Sequence, residues 1–171
     1  MSKLEVLRRL LSLDRSGLAQ AFQQGRPATL SAFHAAEPGQ TKRLRGVSLG
    51  LPRLVERLSW KLFAKDVVVV EGEMRGWNVR LHQPAAVDAS TLLSTPLRER
   101  GVFAPFAIGK DDRGHAVIDY RRSSNPFPLS HTIDPLVSLD DDDHVLLGVS
   151  DLHIARRVQR TPTWFVLFGE S

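Results

Sequence analysis

Cysteine is absent from all 171 residues. That removes disulfides, thiolate metal ligands and cysteine nucleophiles from consideration, without fixing the redox compartment. No window approaches the roughly 20 consecutive apolar residues that a membrane-spanning helix needs. The first residues, MSKLEVLRRLLSLDRSG, offer no apolar stretch of signal-peptide length, because Arg8, Arg9 and Asp14 interrupt it. These absences lead us to expect a cytoplasmic protein. No run of five or more basic residues occurs, and there is no internal repeat or low-complexity segment.

What is present is ordinary for a globular chain: 42% hydrophobic and 25% charged residues. The length suits one domain over residues 1–171. A domain of this size buries roughly 70% of the surface of its unfolded chain, enough for one core. The net charge of +4 is unevenly spread: residues 1–80 hold 14 Lys/Arg against 7 Asp/Glu, and the remainder 9 against 12. The basic residues are scattered among acids, as on solvated helix faces, so no nucleic-acid partner is expected. Arginine, at 18 residues, far outnumbers lysine at 5, and no function follows from that ratio.

Residues 1–64 read as a mainly helical section and 66–171 as a β-rich one. Leu4, Leu7, Leu10 and Leu11 recur at helical spacing. Asp14 suits the N-cap of a second helix holding Leu18 and Phe22 and ending near Gly25 and Pro27. A third helix is expected over 52–64, with Pro52 at its first position and Leu54, Leu58 and Leu62 in one stripe. Trp60 is expected to fill the gap between that helix and a sheet. After Asp66 the period changes to that of strands. DVVVVEGEM is a β-branched run, and Trp77, Val79 and Leu81 alternate with Asn78, Arg80 and His82. Residues 83–101 read as irregular. VFAPFAIGK and HAVIDY form a hairpin about Asp111–Gly114, and HTIDPLVSL, HVLLGVSDL and TPTWFVLF supply further strands. Connections this short exclude parallel crossovers. The expected fold class is α+β, with N-terminal helices packed on a predominantly antiparallel, barrel-like or strongly curved β-sheet.

Three patterns invite chemistry. Gly46-Val47-Ser48-Leu49-Gly50 matches the G-x-S-x-G of a hydrolase nucleophile elbow, and Asp119 or Asp134 followed by His144 or His153 completes the chain order of a triad. An elbow, however, follows an apolar strand and opens a helix at once. Here Thr41-Lys42-Arg43-Leu44-Arg45 precedes the serine, and Pro52 places the helix start about four residues after it. A glycine turn is the plainer account, and no catalytic role is assigned to Ser48. Asp140-Asp141-Asp142-Asp143 before His144 lacks the alternate spacing, glycine and closing glutamate of a calcium loop, so no metal is assigned. His82, His115, His131, His144 and His153 fall in the β part. An inward histidine in a barrel can bind haem iron or act as a base, but strand histidines are more often surface residues, and no cofactor is assigned.

Trp77, Phe103, Phe106, Val149 and Trp164 are the candidate ligand-binding residues. Bulky side chains on a curved sheet can wall an apolar cavity, expected here between the helices and the concave face. Core packing accounts for the same residues without a cavity.

Three stretches together resemble a known pattern. RLVERLSWKLF (53–63) resembles the leucine-rich segment of the small GXWXG-domain proteins. IDYRRSSNPFPLSHTIDPLVSLDDD and HVLLGVSDL…TPTWFVLF resemble the domain of unknown function that follows it in that family. The region equivalent to the tryptophan motif reads SAFHAAEPGQTK. The resemblance implies a lipocalin-like, β-rich domain of unestablished function and carries over no catalytic residue.

The function expected from the sequence is therefore non-enzymatic binding of a small apolar molecule. The alternatives are an enzyme in the same cavity, either a hydrolase at Ser48 or a histidine-dependent isomerase or cyclase, and a protein–protein adaptor. The oligomeric state is open.

Overall fold

The computed structural model describes residues 2–50, 61–86, 88–140, 144–155 and 157–169. Helix α1 (Lys3–Ser12) opens on a capping box, in which Ser2 Oγ accepts from the Glu5 amide and the Glu5 carboxylate accepts from the Ser2 amide. Helix α2 (Arg15–Gln24) is capped by Asp14, which accepts from the Gly17 amide at 2.8 Å. Nine strands follow: β1 (Arg26–Pro27), β2 (Lys42–Leu49), β3 (Leu62–Val70), β4 (Glu73–Leu81), β5 (Glu99–Lys110), β6 (Ala116–Asp119), β7 (Thr132–Ser138), β8 (Val145–Ile154) and β9 (Arg157–Gly169). A short helix α3 (Ala89–Ser94) lies between β4 and β5.

From β2 to β9 each strand pairs antiparallel with the next, and β9 pairs back onto β2. The eight strands thus close a barrel, which abolishes sheet edges. β1 adds two residues beside the end of β7. The expected antiparallel α+β architecture is what the chain adopts, and β8 and β9 are neighbours as their short connection implies.

Alternation sorts each strand into an inner and an outer face. On β3, Phe63, Lys65 and Val67 point in while Leu62 and Ala64 point out; β2, β8 and β9 repeat the pattern. The outer face of β2, β3, β4, β8 and β9 is apolar (Val47, Leu49, Leu62, Val79, Leu81, Val149, Val166, Phe168). It is covered by Val6, Leu7 and Leu10 of α1, Leu18 of α2 and Leu92 of α3. The lower half of the interior is filled by Phe33, Leu44, Val67, Ile118, Leu136, Leu146 and Leu167.

Four sequence expectations need correction. Strand structure precedes Asp66, with β1 and β2 inside the section expected to be mainly helical, and Leu62 to Ala64 belong to β3, not to a helix. Arg43 and Arg45 disguise β2 because their charges are satisfied outside the barrel, Arg43 by Asp66 and Arg45 by the last carbonyls of α3. Residues 51–60, with Trp60, lie outside the described residues. The irregular stretch after residue 83 contains α3, capped by Asp88, and the start of β5. The Gly46–Gly50 segment is no turn: Gly46 to Leu49 are in β2, and only Gly50, at φ 62°, leaves the strand.

Candidate functional site

Above the filled half, the barrel holds a cavity of about 240 Å³. This is smaller than the roughly 300–1,000 Å³ of drug-sized sites and suits a compact ligand. Phe63 and Phe165, which line it, and Phe106 of the same interior each pack on a glycine of a neighbouring strand. A Cβ on Gly46 would stand 2.2 Å from the Phe63 ring, one on Gly76 2.5 Å from Phe106, and one on Gly148 2.3 Å from Phe165. Each glycine lets a ring lie against bare backbone. This is the structural use of the first glycine in the G-x-S-x-G segment.

The rings surround an amine. Lys65 Nζ lies 5.5 Å from the Phe63 centroid, 5.0 Å from Phe106, 5.2 Å from Tyr120 and 5.4 Å from Phe165. These are cation–π distances. Lys65 is 2% exposed. It donates to Asn78 Oδ1 at 2.6 Å and to Tyr120 Oη at 2.5 Å. Asn78 is directly opposite in the β3–β4 register, and its amide donates to the Ala104 carbonyl at 3.0 Å, which turns Oδ1 toward Lys65. A register shift between Trp77 and Asn78 accompanies this, with Ala104 at φ 45°. Bulges and positive φ in non-glycine residues concentrate where a side chain must be aimed.

Across the cavity is Asp134 of β7, 3% exposed. The β7–β8 register, Ile133 to Asp151 and Leu136 to Gly148, puts Ser150 opposite it, and the Ser150 hydroxyl bonds the carboxylate. Its Oδ1 has no hydrogen-bond partner among the described residues. An ammonium has three donors; Lys65 uses two, and it makes no third hydrogen bond to the described residues. Burial pushes the Lys65 amine down to about 8, with the Asp134 charge opposing. It pushes Asp134 up to about 6, with Lys65 and Ser150 opposing. Desolvation outweighs mutual attraction for both groups. Burial and the Asp134 charge also raise the Tyr120 hydroxyl well above its ordinary value, so it stays protonated. Ser48, Thr132 and Thr163 add hydroxyls, and Phe103, Ala104 and Leu129 complete the wall.

Of the five residues expected from sequence to bind a ligand, Phe103 and Phe106 face this interior. Trp77, Val149 and Trp164 do not. They lie on the outer face, in the apolar cluster beneath the helices, with Trp164 edge-on to Phe22 at 5.8 Å. The helices cover the convex side of the barrel, so the space between helices and sheet is packed core. One groove of about 300 Å³ does open there, but it is lined by Arg9, Arg26 and Asp140 as well as Leu10 and Leu139. We take the smaller interior cavity as the site because buried polar groups converge in it. Ser48 lines the cavity and none of the six histidines does. His144 instead lies 4.0 Å from Asp140.

Sequence reasoning missed Lys65, Asn78, Tyr120, Asp134 as a group, and Ser150. The available signal was a lone polar residue at an inward position of an otherwise apolar strand. Compared with family models, curated proteins and solved structures, the chain matches none.

Proposed function

We propose that the chain binds a compact, mainly apolar molecule in the upper half of the barrel, with its polar end held between Lys65 and Asp134. One observation carries this reading: a buried ammonium with a spare donor and a buried carboxylate oxygen with no partner among the described residues face the same aromatic-walled cavity. Buried polar groups of this kind are costly unless a partner completes them. A ligand oxygen that accepts from Lys65, with a hydroxyl or bound water donating to Asp134, supplies that partner.

Matched ligand pairs test the proposal: one apolar skeleton with an oxygen-bearing head and the same skeleton without it. Trp77 and Trp164 lie outside the barrel, so thermal shift and calorimetry are better readouts than tryptophan fluorescence. The melting temperature should rise with ligand concentration, more for the oxygen-bearing member, and Lys65→Met should erase that preference. A broad panel that leaves the melting temperature unmoved, or shows no preference for the head group, overturns the reading.

A further inference from the structure

Lys65 is one of five lysines in the chain and, among the described residues, the one that lines the interior cavity. Its surroundings go further than a hydrogen-bonding head-group site requires. Burial strips water from Nζ, and that desolvation disfavours the ammonium. When the ammonium loses a proton, two N–H groups remain for Asn78 Oδ1 and Tyr120 Oη. The lone pair then takes the third corner, which makes no hydrogen bond to the described residues. A desolvated, oriented lysine in an apolar cavity is how proteins make a nitrogen nucleophile for carbonyl compounds. A carboxylate with an unpartnered oxygen on the same cavity completes the set, because forming an imine requires protons to move.

Building on the binding reading above, we propose that Lys65 forms an imine with a compact aldehyde or ketone held in the cavity, with Asp134 carrying the protons. The Nζ lone pair attacks the carbonyl carbon and a C–N bond forms. The carbonyl π pair moves to oxygen, which takes up the proton that nitrogen releases, passed through Asp134, to give a neutral carbinolamine. Asp134 in its acid form then protonates the hydroxyl. The C–O bond breaks, water leaves, and the nitrogen lone pair closes the C=N bond. The remaining nitrogen proton returns to Asp134. Amine plus carbonyl gives imine plus water, with no change of oxidation state. The downward shift of Lys65 by burial agrees with this role, because it enlarges the share of neutral amine near pH 7.

The test is reductive trapping on the full chain. The protein is incubated with benzaldehyde near neutral pH, reduced with borohydride, and mapped by peptide mass spectrometry. We expect one stoichiometric adduct on Lys65, formed roughly tenfold or more faster than at Lys3, Lys42, Lys61 or Lys110, because Lys65 lines the cavity that holds the aldehyde. The labelling rate should level off above about pH 8, whereas that of a surface lysine keeps rising. Asp134→Asn should slow labelling about tenfold or more while leaving the protein folded by melting temperature, and Lys65→Arg should abolish the adduct. Adducts spread over the surface lysines with Lys65 unmodified overturn the imine. If ligands without a carbonyl still raise the melting temperature in that case, binding stands and the imine alone falls. If they do not, both fall.

Discussion

Two sides of the same strands are put to opposite uses. On the outer face, the aspartates that enter the sheet each meet an arginine. Asp66 takes Arg43 at 2.6–2.7 Å, Asp119 takes Arg121 at 3.0 Å and Asp151 takes Arg160 at 2.9 Å. Around them the outer seam is closed by leucine and valine from three helices. Inside, Asp134 has no arginine among the described residues; it shares the cavity with a lysine whose bonds go to Asn78 and Tyr120, and one of its oxygens stays unpartnered. The seam is built for stability. The upper interior keeps charges that apolar residues of similar size would replace at a gain, which is the pattern of a site that trades stability for use.

The largest expected effect tests the seam. Phe168 is 2% exposed at the centre of the outer cluster. Truncation to alanine should cost about 3–5 kcal/mol, read by denaturant unfolding, with head-group preference kept wherever the variant stays folded. A loss below about 1 kcal/mol would mean that the seam does not carry the fold.

The interior pair should respond with the opposite sign. Replacing Lys65 by Met and Asp134 by Asn together removes two buried charges and should be neutral or stabilising by about 1–4 kcal/mol. Asn78 Oδ1 keeps the Tyr120 hydroxyl as a neighbour at 3.4 Å. The gain should depend on pH. Asp134 is raised to about 6 when folded, so its stabilising contribution is present below the ordinary carboxylate range and is lost as pH rises to about 6. Lys65 is lowered to about 8, so its contribution is lost as pH falls from the ordinary lysine range to about 8. The difference between variant and wild type should therefore be greatest between about pH 6 and 8 and shrink on both sides. A difference that does not vary with pH would show that the two groups titrate normally.

A smaller change probes how the rings are seated. Adding a Cβ at Gly148 would place it 2.3 Å from the Phe165 ring and 2.8 Å from Leu136. Gly148→Ala should cost about 1–3 kcal/mol by overpacking. It should also displace the ring from Lys65, weakening ligand binding more than Phe168→Ala does. Equal effects on ligand binding from the two would show that the ring placement is not specific to the site.

These contrasts also explain what was legible in the sequence. The strands after Asp66 show in period-two alternation, and α1 and α2 show in their caps and leucine spacing. Closure of the barrel does not show, because β2 carries Arg43 and Arg45, whose charges are satisfied outside it. For β4 the alternation was read correctly and its faces were reversed: Trp77, Val79 and Leu81 face the helices, and polar Asn78 faces in. Periodicity says that two faces differ, not which one a closed sheet turns inward. Lys65 was hidden for a related reason. Lys65-Asp66 reads as a polar break before a valine run, yet Asp66 points out to Arg43 and Lys65 points in to the rings.

The smallest expected effect separates strain held for the site from strain held by a turn. Glu71 and Ala104 are both non-glycine residues at positive φ, 52° and 45°. Glu71 lies with Gly72, φ 82°, in the tight turn between β3 and β4, where asparagine-glycine is the favoured pair. Ala104 lies at the irregular β4–β5 register, where its carbonyl holds Asn78. Glu71→Asn and Ala104→Gly should each gain about 1 kcal/mol from relieved backbone strain, slightly less for the glycine because it loosens the unfolded chain. Their effects on the cavity should differ. Glu71→Asn should leave ligand affinity and Lys65 labelling unchanged, because that turn is remote from both. Ala104→Gly frees the carbonyl that orients Asn78 and so the Asn78 Oδ1 that holds Nζ. It should lower both, and calorimetry beside the borohydride assay reads the pair. If Ala104→Gly gains stability and binds as well as wild type, the strained register at Ala104 is a feature of barrel closure and not part of the site.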